Sequence, residues 1–415
     1  MDIYTDRADH PELNQDGSWL DRFVAGQLRK SLSALDSAWL DIELPSGYRV
    51  ACGNRSAQRG ANWTVKRWNA FLRIAASGAL GFAEGYVHDE WDSTDLRTLL
   101  SVLARAFDAI EVAQARGGPS RIAGTLQHWL NANTRRGSRR NISFHYDLGN
   151  TFYGLWLDPS MTYSSACYDT PDQSLADAQT NKYRRICAAA GLKPGDHVLE
   201  VGCGWGGFAE IAARDYGCRV TGVTLSKEQL DYARARMTRL GLADRVELRI
   251  QDYRDIDEQF DAIVSIEMFE AVGEAHWSTY FNQLANCLKP GGRAALQIIT
   301  IREQDFEHYR GTVDYIQKYV FPGGMLPPPG ALAREAERAG LEGLGAEMFG
   351  SSYAATLHDW FEAFNMAWPE IGKLGFDARF ARIWRFYLAY CEAGFKSGRC
   401  DVGRFVYRKP EASQA

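Results

Sequence analysis

"VLEVGCGWGGF" (residues 198–208) is the stretch that decides the fold of this 415-residue chain. Its apolar start predicts a β-strand, and Gly202, Gly204 and Gly207 match the pattern G-x-G-x-x-G that follows the first strand of many nucleotide-binding sheets. Glycine permits a tight turn and lets backbone N–H groups approach a ligand closely where the next helix begins. The loop alone leaves a dinucleotide, another adenosine cofactor and a purely structural turn open.

Strands and helices alternate around and after this loop. Strands are predicted at 197–202, 218–225, 245–252, 260–267 and 293–300, with helices at 207–216, 226–241 and 275–288. This alternation predicts a doubly wound α/β fold, a parallel sheet with helices on both faces. Ligands bind beyond the carboxyl ends of such strands, so one crevice is expected there. The residues expected to surround it are Gly202, Thr224, Asp252 and the segment from Glu267 to Glu270.

Length and composition narrow the class of protein. A chain of 415 residues exceeds what one hydrophobic core usually holds, so two domains are expected. The net charge of −5 argues against a general nucleic-acid-binding protein, and the eight cysteines form no C-x-x-C pair, which favours reduced thiols without a structural metal. The N-terminus does not resemble a signal peptide, and no stretch reaches the roughly 18 apolar residues of a membrane-spanning helix. These features predict a cytoplasmic protein.

Residues 1–130 predict a smaller, mixed but mainly helical domain. Helices are predicted from Trp19 to about Leu35, at 65–76 and at 95–113, with two short strands around a turn within 40–53. Residues 131–144 predict a basic linker that contains Arg135, Arg136, Arg139 and Arg140. This linker is either a solvated hinge or an anchor for anionic headgroups, and the sequence leaves both open.

The residues around the glycine loop favour one adenosine cofactor. A nicotinamide dinucleotide requires an Asp or Glu about 20 residues further on, at the end of the second strand. That strand ends instead in Thr224, Leu225 and Ser226. Glu200, two residues before the loop, would repel a pyrophosphate but attract the cationic methionine portion of S-adenosylmethionine. Asp252, after the third strand, is suited to accept a hydrogen bond from adenine, so S-adenosylmethionine is the favoured cofactor.

Five motifs in order along the chain resemble one family in particular. They are "HYDLGNTFYGLWLDPSMTYSSA" (145–166), "LEVGCGWGG", "GVTLSKEQ", "SIEMFEAVG" (265–273) and "KYVFPGGMLP" (318–327). Together they are similar to the cyclopropane-fatty-acyl-phospholipid synthases and the related mycolic acid methyltransferases. The resemblance implies a Rossmann-like class I methyltransferase sheet with helical insertions, which forms a catalytic domain over residues 145–415.

The resemblance also implies a reaction and a set of cofactor contacts. A methyl group passes from S-adenosylmethionine to the cis double bond of an acyl chain in a membrane phospholipid. A carbocation forms on the chain, and a base then removes a proton from the new methyl as a cyclopropane ring closes. The positions that correspond to the family's cofactor contacts are Tyr163, Ser164, Gly202, Gly204, Thr224, Gln229, Gln251, Asp252 and Tyr253.

In these enzymes the base is commonly a bicarbonate ion held by a Cys, a Glu, a His and a Tyr. The corresponding glutamate is Glu270 and the tyrosine is Tyr353, but Ser165 stands where a Cys is usual and Gln297 where a His is usual. A glutamine does not exchange a proton near neutral pH, although its amide still forms hydrogen bonds. Bicarbonate is therefore either still held or lost. Its loss would direct proton removal to a chain carbon and give a methyl-branched or methylene-bearing product without a ring.

Neighbouring residues have roles that the sequence leaves open. Glu267 either assists Glu270 or is easily mistaken for it, and Cys167 is either a substitute for the missing thiol or a buried structural cysteine. A series of aromatic residues at helical spacing belongs either to the core or to an apolar channel for an acyl chain. This series consists of Trp360, Phe361, Phe364, Trp368, Trp384, Phe386, Tyr387 and Tyr390.

The sequence leaves more than one function open. The resemblance favours a lipid C-methyltransferase that associates peripherally with a membrane, forms a homodimer, and uses neither nucleic acid nor metal. A methyltransferase for a soluble small molecule and a lipid-binding protein that holds the cofactor without turnover are the alternatives, and a nicotinamide oxidoreductase is formally possible. The N-terminal domain is hypothesised to present phospholipid to the catalytic domain.

Overall fold

A computed structural model describes residues 17–33, 35–104 and 148–411 of the chain. The chain divides into two compact units, Met1–Gly117 and Gly118–Ala415. The domain boundary expected near residue 130 and the basic linker at 131–144, with its four arginines, lie outside the described residues. In the described parts of the chain, no helix is both long enough and apolar enough to span a membrane.

The N-terminal unit combines helices with a small sheet. Its strands are β1 (Trp39–Glu43), β2 (Arg49–Gly53), β3 (Gly60–Val65) and β4 (Trp91–Asp92), in the order β2-β1-β3-β4. Its helices are α1 (Trp19–Ser31), α2 (Asn69–Val87) and α3, which covers residues 96–104. The Ser18 side chain accepts a hydrogen bond from the Asp21 N–H and Asp21 bonds back to the Ser18 N–H, a capping box that explains where α1 begins.

Several helix boundaries predicted for this unit are wrong: the first helix ends at Ser31 rather than at about Leu35, and the second ends at Val87 rather than at residue 76. The helix expected at 65–76 begins only at Asn69, because residues 60–65 form strand β3. Burial alternates along β3, with Ala61, Trp63 and Val65 facing the core, which is the two-residue period of a strand. The two strands predicted within 40–53 are confirmed as β1 and β2, which pair antiparallel.

The C-terminal unit is built on a seven-stranded sheet. Its strands are β5 (His197–Val201), β6 (Arg219–Thr224), β7 (Val246–Ile250), β8 (Phe260–Ile266), β9 (Leu288–Ile301), β10 (Glu342–Met348) and β11 (Cys400–Arg408). The strand order is β10-β11-β9-β8-β5-β6-β7. Strands β5 to β9 pair parallel with one another, whereas β11 runs antiparallel to both β9 and β10. The predicted doubly wound fold is confirmed, and the β10–β11 pair is an addition that the sequence did not predict.

Helices flank this sheet along most of the unit. They are α4 (Asn150–Gly154), α5 (Leu175–Ala190), α6 (Gly207–Asp215), α7 (Lys227–Arg239), α8 (Trp277–Cys287), α9 (Glu303–Arg310), α10 (Tyr315–Tyr319), α11 (Pro329–Arg338), α12 (Gly350–Lys373) and α13 (Ala378–Lys396). Alternate residues of the central strands enter two separate hydrophobic clusters. Leu199 and Ile263 pack with α8 and α11, whereas Val198 and Val264 pack with α5, α6 and α7. The sheet therefore separates two cores, as a doubly wound fold requires.

The strand order reverses at β5, which lies between β6 and β8. In open α/β sheets, a crevice forms outside the carboxyl ends of the strands at such a reversal. The residues that follow β5 and β8 are Gly202 and Glu267. The site is therefore sought at these two strand ends.

Candidate active site

The glycine loop adopts the conformation that its residue types predict. Gly202, Gly204 and Gly206 have φ angles of 86°, 50° and 83°, in the left-handed region that favours glycine. The N–H groups of Gly202 and Cys203 both donate to the Val223 carbonyl at 3.0 Å, which joins the loop to the end of β6. Helix α6 begins at Gly207 without a side-chain cap, so its first N–H groups are available to a ligand.

Glu200, near the end of β5, has a carboxylate whose hydrogen bonding is incomplete. The residue is 3% exposed, and its Oε2 atom is enclosed without a hydrogen-bond partner in the described residues. Burial raises the pKa of Glu200 well above its usual range, while Arg236 and Lys182 act in the opposite direction. Buried polar atoms in folded proteins almost always have a partner. A cationic ligand would supply one, so this position fits the methionine portion of S-adenosylmethionine.

The ends of β6 and β7 carry the next cofactor candidates. Thr224 Oγ1 donates to Gln229 Oε1 at 3.0 Å, and Gln251 Nε2 donates to the Asp255 carbonyl at 3.0 Å. Asp252 receives two hydrogen bonds from the Arg254 guanidinium, at 2.8 and 2.6 Å. An adenine amino group would therefore share this carboxylate with Arg254. The cofactor contacts of these side chains stay predictions.

Tyr253, the last candidate in this group, begins a short 3-10 helix, Tyr253–Asp255. Its ring packs edge-on against Tyr280, with centroids 5.4 Å apart. Burial raises the pKa of Tyr253 to about 12, so its phenol stays protonated at neutral pH.

Tyr163 and Ser164 lie in the segment between α4 and α5. The Tyr163 and Tyr387 hydroxyl groups are hydrogen-bonded at 2.8 Å, and the Tyr163 ring centroid lies 5.2 Å from that of Trp360. Ser164 Oγ accepts a hydrogen bond of 2.7 Å from Nζ of Lys182. These contacts place a tyrosine inside an aromatic cluster and a serine beside a buried amine.

Lys182 is a residue that the sequence reasoning missed. It is fully buried in α5, and burial lowers its pKa to about 7, against the opposing effect of Glu267, Asp158 and Glu200. Ala178 and Ile186, four residues away on either side, are also buried. Lysine is seldom fully buried without a specific role, so its position at helical spacing from Ala178 and Ile186 was an available signal, although no helix was predicted there.

Four residues from separate segments form what we call the Glu267 cluster: Glu267 and the three residues that donate to its carboxylate, Ser165, Gln297 and Tyr353. The Ser165 N–H and Gln297 Nε2 both donate to Glu267 Oε1 at 2.8 Å. The Tyr353 hydroxyl donates to Glu267 Oε2 at 2.7 Å. The Ser165 hydroxyl is not part of this set, because it donates to the Ala166 carbonyl at 2.8 Å.

The sheet and one helix bring the Glu267 cluster together. Gln297 pairs with Ile266 in the β8–β9 ladder, and the Glu267 N–H donates to the Gln297 carbonyl at 2.8 Å. Tyr353 lies in the first turn of α12. Burial and the charge of Glu267 both raise the pKa of Tyr353, so its phenol stays a donor. Burial raises the pKa of Glu267 as well, but Gln297, Tyr353 and Lys182 counter this effect.

Glu270, the glutamate that the family resemblance assigns to the anion site, has different surroundings. Its Oε1 atom accepts a hydrogen bond of 2.5 Å from the Ile299 N–H, and its Oε2 atom is enclosed without a partner in the described residues. Burial and then the nearby charge of Glu267 raise the pKa of Glu270 to about 8. The structure therefore brings Ser165, Gln297 and Tyr353 together around Glu267 and leaves Glu270 beside them, in a form that is mainly neutral at pH 7.

The remaining candidates are buried or partly buried side chains. Cys167 is buried, and its backbone N–H and carbonyl bond to Ala178 and Asn181. Burial raises the pKa of its thiol, which does not favour the role of an ionised substitute for the missing cysteine. Of the aromatic series, the buried members are Trp360, Phe364, Trp384, Phe386 and Tyr387, and the partly buried ones are Phe361, Trp368 and Tyr390. Within the described residues, no group of His, Cys, Asp and Glu is arranged to hold a metal ion.

Comparison with known proteins identifies the family. The sequence model of the mycolic acid cyclopropane synthetase family matches residues 133–405. The chain belongs to this family. It is 41% identical over 338 residues to the tuberculostearic acid methyltransferase UfaA1 of Mycobacterium tuberculosis, which covers 80% of this chain and 79% of that protein. It is 36% identical over 384 residues to the cyclopropane-fatty-acyl-phospholipid synthase of Escherichia coli, which covers 92% and 96%.

Solved structures agree with this family and with the fold. The cyclopropane synthase MmaA2 of Mycobacterium tuberculosis superposes with a TM-score of 0.62 at 29% identity, over 65% of this chain and 98% of that one. The mycolic acid cyclopropane synthase CmaA1, solved with S-adenosylhomocysteine and cetyltrimethylammonium bromide, gives 0.62 at 30% identity over the same shares. The family member described here is thus an S-adenosylmethionine-dependent methyltransferase with a class I sheet, as the sequence predicted.

Proposed function

We propose that this enzyme transfers a methyl group from S-adenosylmethionine to the cis double bond of an unsaturated phospholipid acyl chain. One observation carries the proposal: the buried carboxylate of Glu200 and the hydrogen-bonded carboxylate of Glu267 lie at the carboxyl ends of the adjacent strands β5 and β8. The first is suited to a cationic methyl donor, and the second to a cation that develops on the acceptor. A relative that shares nearly the full length of the chain is named as a phospholipid cyclopropane synthase.

The residues of this chain would divide the work between binding and charge stabilisation. The glycine loop, Glu200 and Thr224 would hold the cofactor, which supplies an electrophilic methyl group on sulfur. The π electrons of the alkene form the new carbon–carbon bond, the methyl–sulfur electron pair stays on sulfur, and the acyl chain becomes a carbocation. The rings of Tyr163 and Trp360, 5.2 Å apart, belong to an aromatic cluster whose faces favour a cation and exclude water.

The product of the reaction has two candidate forms. In the first, the proton leaves the new methyl group and the chain closes to a cyclopropane, as the name of the Escherichia coli relative implies. In the second, the product is a methyl-branched or methylene-bearing chain without a ring. The second is favoured by the substitution of Gln297 and Ser165 for the usual His and Cys, and by a relative at 41% identity that is named as a methyltransferase.

Transfer of a deuterated methyl group tests both the reaction and its product. The protein is incubated with cofactor that carries a CD3 group and with vesicles of cis-monounsaturated phospholipid, and the released fatty acids are identified by mass spectrometry and NMR. A ring that retains two deuterons supports cyclopropanation. Two deuterons on a methylene branch of an open chain, or three on an unsaturated methyl branch, support the second product. If the cofactor binds but no deuterium enters any lipid, the proposal is wrong and the alternatives of a soluble acceptor or a non-catalytic protein gain support.

Helix α1 supports the peripheral contact with a membrane. Trp19 and Phe23, four residues apart on one helix face, are 73% and 58% exposed, and Arg29 and Lys30 lie in the last turn. A helix with exposed aromatic residues and basic side chains is suited to the surface of an anionic bilayer. We expect Trp19→Ser with Phe23→Ser to weaken sedimentation with anionic vesicles about tenfold. Leu240→Ser, at an exposed leucine of the other unit, serves as the control and should leave sedimentation unchanged.

Phospholipid presentation by residues 1–130, the homodimer and the cytoplasmic location stay predictions. The first has a direct test, because a chain beginning near Asn141 that folds and keeps full activity on vesicles would exclude a role for the N-terminal unit in presentation. The same truncated chain with activity only on dispersed lipid would support that role.

A further inference from the structure

We propose that the Glu267 carboxylate is the built-in base of this enzyme and occupies the position that bicarbonate fills in its relatives. The inference rests on the proposed function, because it requires a carbocation from which a proton is removed. It is carried by the geometry of the Glu267 cluster.

The donors that would hold a bicarbonate ion are already bound to Glu267. Both hydrogens of the Gln297 amide are used, one on Glu267 Oε1 at 2.8 Å and the other on the Ser165 carbonyl at 3.2 Å. The Ser165 N–H and the Tyr353 hydroxyl also donate to Glu267, at 2.8 and 2.7 Å. A second anion would find no free donor among these groups and would be repelled by the carboxylate. Bicarbonate does not fit the site as it is built.

The backbone conformation of Glu267 is strained. Its φ angle is 50°, one of three positive φ values at non-glycine residues in the described parts of the chain. A residue other than glycine is disfavoured in this region because its Cβ atom lies too close to the backbone. Strain of this kind is commonly found where a side chain must reach a functional site. The hydrogen bonds from Ser165, Gln297 and Tyr353 fix the carboxylate and offset this strain.

The carboxylate keeps the capacity to accept a proton. A carboxylate offers about four acceptor sites, and the cluster uses two on Oε1 and one on Oε2. Ser165 and Gln297 are fully buried, whereas Glu267 is partly accessible. In the proposed step, a C–H bond breaks either on the new methyl group, whose electron pair then forms the ring bond to the cationic carbon, or on a chain carbon next to the carbocation, whose electron pair then forms a double bond. The proton passes to Glu267 Oε2, which later releases it to water.

The substitution Glu267→Gly provides a direct test, because glycine adopts a φ of 50° without strain and leaves a space of carboxylate size. Turnover is measured on vesicles in buffer freed of carbon dioxide, with and without added sodium bicarbonate or formate. We expect wild-type turnover to be independent of both anions. Glu267→Gly should lose at least 100-fold in turnover and regain at least tenfold with either anion. Glu267→Gln should lose as much without recovery, because its amide still fills the space.

Asp89→Gly is the matched control for the backbone. Asp89 has a φ of 55° and lies in the N-terminal unit, so this variant removes a carboxylate and relieves backbone strain in the other unit of the chain. Its turnover should match that of the wild type. Wild-type turnover that depends on bicarbonate, or a Glu267→Gly variant that keeps full turnover without added anion, would overturn the inference.

A binding measurement separates this inference from the proposed function. The binding of 13C-labelled bicarbonate is followed by NMR in the presence of S-adenosylhomocysteine, without any lipid. We expect Glu267→Gly to bind the ion and the wild type not to bind it. If the wild type transfers no methyl group to lipid, the proposed function fails. Stoichiometric binding of bicarbonate to the wild type would instead refute the role of Glu267, whatever the turnover.

Discussion

The glycine loop and the Glu267 cluster lie at neighbouring strand ends, but they differ in whether their carboxylate oxygens have hydrogen-bond partners. The loop and Glu200 come from one continuous stretch, and Glu200 Oε2 is enclosed without a partner in the described residues. The Glu267 cluster draws on four separate segments, and its members satisfy both oxygens of the central carboxylate. The first site therefore requires a ligand to complete its hydrogen bonding. The Glu267 cluster already contains an anion, which is the Glu267 carboxylate.

The difference shows how one sheet edge serves two chemical needs. A cofactor must enter and leave, so an incomplete site is useful, although it costs stability in the unbound protein. A base must stay in place between turnovers, so a saturated carboxylate is useful because its orientation is fixed. Substitution of Glu200 should therefore mainly change the affinity for the cofactor. Substitutions in the Glu267 cluster should mainly change turnover.

Apart from the replacement of Glu267 itself, the largest effect is expected at Glu200. The substitution Glu200→Gln keeps the shape of the side chain but removes the charge that would pair with the cationic part of the cofactor. We expect the Kd of S-adenosylmethionine, measured by isothermal titration calorimetry, to rise about 100-fold, which corresponds to about 2.7 kcal/mol. The unbound protein should not lose stability, because a buried unpaired carboxylate has been replaced by a neutral group.

Glu228→Gln is the charge-matched control for this experiment. Glu228 is an exposed carboxylate in the first turn of α7, so its removal should leave the cofactor Kd within twofold of the wild-type value. An equal loss of affinity in both variants would indicate a general effect of net charge. It would contradict a specific role of Glu200 in binding the cationic part of the cofactor.

A smaller effect is expected within the cluster. Tyr353→Phe removes one donor to Glu267 while the ring keeps its stack on Phe395, whose centroid is 4.4 Å away. We expect kcat to fall about tenfold with little change in the KM for the cofactor, equivalent to about 1.4 kcal/mol. Loss of the donor also raises the pKa of Glu267 further. Because the base acts in its ionised form, the acidic limb of the kcat profile should move to higher pH.

Tyr168→Phe provides the corresponding control. The Tyr168 hydroxyl donates to the Asp359 carboxylate at 2.7 Å, so the variant loses the same type of hydrogen bond outside the cluster. Its pH profile should coincide with that of the wild type. A shift of similar size in both variants would show that the cluster has no special role in setting the acidic limb.

The two regions also differ in how far the sequence could predict them. The glycine loop, Glu200 and Thr224 lie at fixed offsets from strand ends, so local pattern was enough to place them. The residue types of the cluster were suggested by the family resemblance, but its central member was not identified, because Glu267 and Glu270 lie in one short segment. The positive φ of Glu267 and its place beside Gln297 in the β8–β9 register decide between them, and neither is visible in sequence. Lys182 was missed because no helix was predicted around it, and its neighbours Ser164, Glu200 and Glu267 come from other segments of the chain.

The smallest effect distinguishes the two glutamates by pH. Burial and the charge of Glu267 raise the pKa of Glu270 in the folded protein to about 8, from a usual value of 4.5. The folded state therefore binds this proton more tightly than the unfolded state, and its contribution to stability is lost as pH rises from 4.5 to 8. Glu270→Gln removes this dependence. We expect the variant to match the wild type at pH 5 and to exceed it at pH 9 by about 1 to 2 kcal/mol in free energy of unfolding.

Thermal unfolding of the cofactor-free protein at pH 5 and pH 9 measures this difference, with Glu228→Gln again as the exposed control. If Glu270→Gln is more stable than the wild type at both pH values, Glu270 is ionised throughout this range. Both glutamates would then carry negative charge. A gain confined to pH 9 would instead support a division in which Glu270 stays neutral and Glu267 alone carries the charge. Only that division leaves Glu267 free to act as a base beside a second buried carboxyl group, because two adjacent anions would raise the pKa of each other.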